Sequence, residues 1–126
     1  MKIDHITINV ISMEESIHFY RDLLGLTELH EVDMGDHVLK YFRLDGDTLL
    51  ELIRYKDDQP EYRYEVKTRG LYRHLALGTE DVNALYQKLS ENQVECLCKP
   101  GYVDKLQFRN FLIRDPNGVE IEFVER

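Results

Sequence analysis

Four side chains in this sequence have the chemistry to hold a divalent metal ion, and they come as two pairs of one kind, His5 with Glu51 and His74 with Glu122. Imidazole nitrogen and carboxylate oxygen together suit nickel, cobalt, iron, manganese or zinc, and four protein donors leave room for water or substrate at an octahedral centre. The first pair is separated by 46 residues and the second by 48. Any one of these residues alone would be read as an ordinary solvated side chain. The same pair recurring at nearly the same interval argues instead for one site built from two histidines and two glutamates.

The elements that would position them are written twice. HITINV at His5 returns as HLALGT at His74, 69 residues on, and each is followed by a helical stretch. FRLDGDTLLELIRY (Phe42 to Tyr55) likewise resembles FLIRDPNGVEIEFVER (Phe111 to Arg126). Repetition at this scale points to a duplicated unit. Ile6, Ile8 and Val10 alternate with His5, Thr7 and Asn9, the period of two that marks a strand with one packed face. By the same alternation Glu51 lies opposite Leu50 and Leu52, His74 opposite Leu75 and Leu77, and Glu122 opposite Ile121 and Phe123. All four candidate ligands thus point away from the helix-packed face.

Ser12 with Glu15 three residues on makes a capping box. Ile17, Tyr20 and Leu24 recur at helical spacing, and Gly25 supplies a C-terminal stop, so a helix is expected from Met13 to Leu24. Strands are expected at 28–32, 38–44 and 49–55, completing a βαβββ unit. The second half repeats it, with a strand at 73–77, a helix at 80–92 turning Val82, Leu85, Tyr86 and Leu89 inward, and strands at 95–99, 108–115 and 119–124. The expected class is α+β, one domain over 1–126 made of two tandem βαβββ modules (1–56 and 71–126) joined by a charged connector (57–70). Its mixed sheet would curl into a cleft.

With 126 residues, 43% of them apolar, the chain can bury one core. Lys and Arg number 16 against 24 Asp and Glu, a formal charge of −8, which disfavours nucleic acid and anionic membrane surfaces as partners. No apolar run approaches the ~20 residues that span a bilayer, and MKIDHITINV is too polar for a signal peptide. A soluble, cytoplasmic protein acting on a small molecule is expected. Cys96 and Cys98 read as reduced thiols, since a lone C-x-C makes neither a disulfide framework nor a zinc site. His18, His30 and His37 read as solvated surface residues, and Tyr55, Tyr62, Tyr64 and Tyr72 as packing groups around the connector.

Over essentially its full length the chain resembles the vicinal oxygen chelate superfamily, and within it the glyoxalase I (lactoylglutathione lyase) family. The resemblance is carried by DHITINV, SIHFYRDLLGL, LLELIRY, RHLALGTEDV and RDPNGVEIEFVE. It implies that His5, Glu51, His74 and Glu122 ligate one divalent ion per site, with nickel, cobalt or zinc foremost and manganese or iron as further candidates. It singles out Glu51, because extradiol dioxygenases and fosfomycin-inactivating relatives have no carboxylate ligand there. It also implies a homodimer in which His5 and Glu51 from one chain meet His74 and Glu122 from the other.

The implied reaction converts the hemithioacetal of methylglyoxal and glutathione to a lactoyl thioester through a cis-enediolate. Glu122 would be the base and Glu51 its counterpart, with the ion acting as a Lewis acid toward both substrate oxygens. Two positions depart from the family pattern. Asn9 stands where an arginine would meet a glutathione carboxylate, and Tyr55 stands where an asparagine is expected. Arg21, Arg54, Arg73, Lys99 and Lys105 could supply positive charge elsewhere, though each also reads as an ordinary surface residue. Two alternatives share the same fold: another enzyme of the superfamily, such as an epimerase or dioxygenase, and a non-enzymatic sequestering protein of the bleomycin-resistance type.

Overall fold

The structure is a computed structural model that describes residues 1–57 and 72–126. The expected connector lies outside the described residues from position 58 onward, and Tyr62 and Tyr64 with it. The chain divides into two compact units, residues 1–63 and 64–126.

The first unit runs β1 (His5–Asn9), α1 (Met13–Ile17), a π-helical stretch (His18–Leu23), β2 (Thr27–Asp33), β3 (His37–Asp45) and β4 (Thr48–Tyr55). Its sheet has the order β1-β4-β3-β2, with β1 parallel to β4 and the other pairs antiparallel. Alternation along the strands buries Ile8, Phe42, Leu50 and Leu52. Helix α1 starts where expected, with Ser12 Oγ accepting from the Glu15 N–H at 3.3 Å. It does not continue as a plain α-helix. The Leu24 N–H donates to the Phe19 carbonyl, five residues back, and this wider turn rotates the side chains that follow. The buried set is therefore Ser16, Phe19, Tyr20 and Leu23, while the expected Ile17 and Leu24 are only half-buried. Gly25, at φ +72°, ends the element in the left-handed region.

The second unit runs β5 (Leu75–Gly78), α2 (Val82–Glu91), β6 (Glu95–Cys96), β7 (Gly101–Val103), β8 (Phe108–Arg114) and β9 (Glu120–Glu125). Here β5 is parallel to β9, β9 is antiparallel to β8, and both β6 and β7 pair along β8. The single strand expected at 95–99 is thus two short ones. Bonding to β8 ends with the Leu97 N–H, which donates to the Leu112 carbonyl at 2.8 Å, and pairing resumes at Gly101, just past Pro100, which has no N–H to give to a ladder. The β5 strand begins at Leu75, so His74 stands immediately before it and not within it. Val82, Leu89, Phe108, Phe111, Ile113, Ile121 and Phe123 form the buried core of this unit.

The Asp115–Gly118 motif makes a turn. The buried Asp115 carboxylate accepts from the N–H groups of Asn117 and Val119, both at 2.8 Å, and Gly118 takes φ +86°. This fixes the register of β8 against β9. Tyr55 and Tyr72 are 40% and 68% exposed, which corrects their reading as packing residues. Among the described residues no helix is long and apolar enough to cross a membrane.

Candidate metal centre

Glu51 sits on β4 between two neighbouring strands, directly across from Thr7 on β1 and Tyr41 on β3. Directly paired residues share a sheet face, so three side chains meet there. Thr7 Oγ1 donates to Glu51 Oε1 at 3.0 Å, and the Tyr41 hydroxyl donates to Oε2. The phenol's pKa is pushed up to about 12, first by that hydrogen bond, then by burial and by the charge of Glu51 and Asp4. The Tyr41 ring in turn stacks on His30 with centroids 4.8 Å apart. His30 is exposed as expected, yet it covers a residue of the candidate site.

His5 precedes Thr7 by two positions and points to the same face. Its Nδ1 lies 2.7 Å from Asp4 Oδ2, and this contact raises the imidazole pKa, with the charge of Glu51 acting in the same direction. A carboxylate on Nδ1 is the arrangement that orients a histidine to ligate through Nε2.

In the second unit Glu122 on β9 is flanked by Ala76 on β5 and Leu112 on β8, both apolar. Its partners lie on the diagonals. His74 Nε2 is 3.0 Å from Glu122 Oε2, and Asn110 Nδ2 donates to Oε1 at 2.6 Å. The Glu122 side chain is 14% exposed and that of His74 32%. His74 Nδ1 is buried without a hydrogen-bond partner.

The two donor sets fit a divalent ion in different degrees of readiness. Adjacent donors on an octahedral ion with bonds of about 2.1 Å stand about 3.0 Å apart, and His74 Nε2 and Glu122 Oε2 already have that separation. His5 and Glu51 share a face but form no hydrogen bond or ion pair with each other. Among the described residues no three His, Cys, Asp or Glu side chains of either unit form a metal-ligand cluster. Each unit offers a pair.

The remaining candidates fall outside these pairs. His18 is exposed and contacts Asp22 through Nδ1 at 2.9 Å. His37 is not the solvated residue expected from its place near a turn. Its side chain is only 21% exposed, with Nδ1 2.5 Å from Asp36 and the ring 5.2 Å from that of Tyr55. Arg21 is paired with Asp22 and Glu28, Arg73 with Glu120, and Arg54 donates to the Tyr55 carbonyl, while Lys99 and Lys105 are exposed. Asn9 is exposed on the face that carries His5. Cys96 and Cys98 are free, and burial followed by the neighbouring thiol pushes the Cys96 pKa up. Sequence reasoning missed Tyr41 and Asn110 and did not give Thr7 a role. For Thr7 the signal was there, since it alternates with Ile6 and Ile8 on the ligand side.

A family model for the Glyoxalase/Bleomycin resistance protein/Dioxygenase superfamily matches residues 2–123. The chain belongs to that superfamily. The chain is 30% identical to the uncharacterized protein YwbC of Bacillus subtilis (strain 168) over 129 residues, covering 99% of this chain and 98% of the relative. It is 26% identical to the lactoylglutathione lyase of Haemophilus influenzae over 129 residues, covering 99% and 93%. Among solved structures it resembles the trypanothione-dependent glyoxalase I of Leishmania major with a TM-score of 0.79 at 26% identity, over 99% of this chain and 86% of that one. The superfamily fold and the two mixed sheets described above agree.

Proposed function

We propose that the protein is a metal-dependent isomerase of the glyoxalase I type, converting the hemithioacetal of a 2-oxoaldehyde and a thiol into a 2-hydroxyacyl thioester. The observation that carries this reading is the presence of a carboxylate at the same register position in both units, Glu51 across from Thr7 and Glu122 across from Ala76. Two histidines and two glutamates would hold one divalent ion, His5 oriented by Asp4 and His74 already beside Glu122. Bound there, such an ion would supply Lewis acidity, stabilising negative charge as it develops on substrate oxygens.

The chain's own residues do the proton work. Glu122, with Oε1 held by the Asn110 amide and Oε2 beside His74 Nε2, is the carboxylate that takes a proton from the substrate carbon and returns it to the adjacent one. The electron pair of the broken C–H bond stays on the substrate and the hydroxyl proton passes from one substrate oxygen to the other, so the isomerisation balances without an external oxidant. Since each unit offers only a pair of donors, a complete site needs a first unit and a second unit. By similarity to glyoxalase I these would come from the two chains of a cytoplasmic homodimer.

The thiol is the finer question. Asn9 can give a hydrogen bond to a substrate carboxylate but not the bidentate, charged grip of a guanidinium. A glyoxalase I relative that depends on trypanothione is among the structures this chain resembles. The decisive experiment loads purified protein in turn with nickel, cobalt, zinc and manganese and follows thioester absorbance from methylglyoxal with glutathione and then with other low-molecular-weight thiols. Turnover is expected with at least one ion. Absence of thioester with every ion and every thiol would overturn the reading and favour a different reaction or simple sequestration.

A further inference from the structure

The positions flanking the two glutamates differ in a way that the ligand pattern does not require. In register, Thr7 corresponds to Ala76 and Tyr41 to Leu112. Glu51 therefore has a hydroxyl donor directly across from it on both neighbouring strands, one for each carboxylate oxygen. Glu122 has hydrocarbon at both of those places, and its polar partners among the described residues lie on the diagonals: His74, and Asn110, which stands 69 residues after Tyr41.

The Tyr41 clamp is itself built, and two irregularities of the sheet aim it. The β3 to β4 register shifts by one residue between Arg43 and Asp45, which leaves Leu44 as an extra residue. Continuing the Asp45–Thr48 pairing without that bulge would set Tyr41 across from Leu52, on the core side; the bulge sets it across from Glu51. A second shift, between Glu28 and Glu31 on β2, places His30 where it stacks on the Tyr41 ring. A phenol gripped by a ring on one side and a carboxylate at its tip has few rotamers left.

We propose that Thr7 and Tyr41 are positioning residues that lock the Glu51 carboxylate in the orientation of a metal ligand. The proposal rests on the metal-site reading above and deepens it. Two hydroxyl hydrogen bonds on opposite oxygens hold the Glu51 carboxylate against both swing and flip, whereas Glu122 has an amide on Oε1 and, on Oε2, the other candidate ligand of its own unit, His74. Outer-sphere partners of this kind commonly change metal affinity by about 10- to 100-fold when removed.

The test measures metal binding directly. Wild-type protein, Tyr41→Phe, Thr7→Val, Thr7→Ser and the Tyr41→Phe/Thr7→Val double variant are titrated with cobalt(II) against a chromophoric chelator, and the visible d–d bands of the bound ion are recorded. Tyr41→Phe and Thr7→Val should each weaken binding about 10-fold or more and shift the bands, the double variant should lose most, and Thr7→Ser should restore wild-type behaviour. Thr7 lies on the exposed face of β1, so its variants keep the proposal testable if Tyr41→Phe fails to fold. Wild-type cobalt binding with unchanged affinity and bands in both single variants would overturn the clamp and leave the metal-site reading standing. Failure of the wild-type protein to bind cobalt, nickel, zinc or manganese would overturn that reading and the clamp together.

Discussion

In the first unit Glu51 is hydrogen-bonded at both oxygens by hydroxyl groups, whereas in the second Glu122 meets one amide and one imidazole between two apolar neighbours. The strands that carry the two glutamates have the same pairing, parallel on one side and antiparallel on the other. The two units thus share what places a ligand and differ in what surrounds it. Backbone register is costly to change, because a one-residue slip exposes a whole hydrophobic face. A neighbouring side chain on the ligand face can change without disturbing the core, and there the two units have diverged.

The largest effect that could break this comparison comes from neutralising the two carboxylates separately. On the proposed mechanism Glu122→Gln should lower kcat by about 100- to 10,000-fold, the range spanned by loss of a positioned general base, with the far-ultraviolet circular dichroism unchanged. Glu51→Gln should weaken metal affinity more and, at saturating metal, lower kcat less. Steady-state rates across a range of metal concentrations separate the two. Equal losses of kcat at saturating metal would mean that the glutamates share the proton work and that their different surroundings do not divide their roles.

A somewhat smaller effect sharpens the comparison in the core. Phe42 and Phe111 stand 69 residues apart, the repeat interval, and both are fully buried. Among the described residues Phe42 has one aromatic neighbour, Tyr20 at 6.3 Å, while Phe111 has two, Tyr86 edge-on at 5.6 Å and Phe123 stacked at 5.2 Å. Truncating a buried Phe to Ala costs about 3–5 kcal/mol, and a well-placed aromatic pair adds about 0.5–1.5 kcal/mol beyond buried area. Phe111→Ala should therefore cost about 1 kcal/mol more than Phe42→Ala in urea unfolding. A larger cost at Phe42 would show that contact geometry is not what distinguishes the two cores.

Much of this was legible in the residues because it depends on period. Alternation of Ile6, Ile8 and Val10 with His5, Thr7 and Asn9 assigns faces by the pleat alone, and recurrence of the pattern at His74 assigns the second unit. Features that hinge on a single inserted hydrogen bond or residue were not legible. The π turn at His18–Leu23 leaves the helical spacing looking ordinary yet moves the buried set to Ser16, Phe19, Tyr20 and Leu23. The bulge at Leu44 is invisible in a hydrophobic pattern, so nothing in the sequence put Tyr41 across from Glu51. Pro100 stands just past the strand expected at 95–99, and that expectation had no place for the short β7 beyond it. The candidate ligands were readable as types on faces. Their hydroxyl and amide partners required cross-strand register.

The smallest contrast concerns how the two helices begin. Ser12 caps α1 through one N–H, that of Glu15 at 3.3 Å, near the long limit for such a bond. Asp81 caps α2 through two, those of Asn83 and Ala84, both at 2.9 Å, and its negative charge lies at the positive end of the helix dipole. The Val82 N–H is also taken, by Glu125 at 2.8 Å, so the start of α2 is tied to β9. Cap removal costs about 0.5–2 kcal/mol. Asp81→Ala should fall near the upper end of that range and Ser12→Ala near the lower, read as the difference in urea midpoints at unchanged slope. If Ser12→Ala proves the more costly, then α1 depends on its cap despite the poorer bond. A five-residue helix that passes straight into a π turn has little internal hydrogen bonding to spare, and the first-unit helix would then be the weaker half of the repeat.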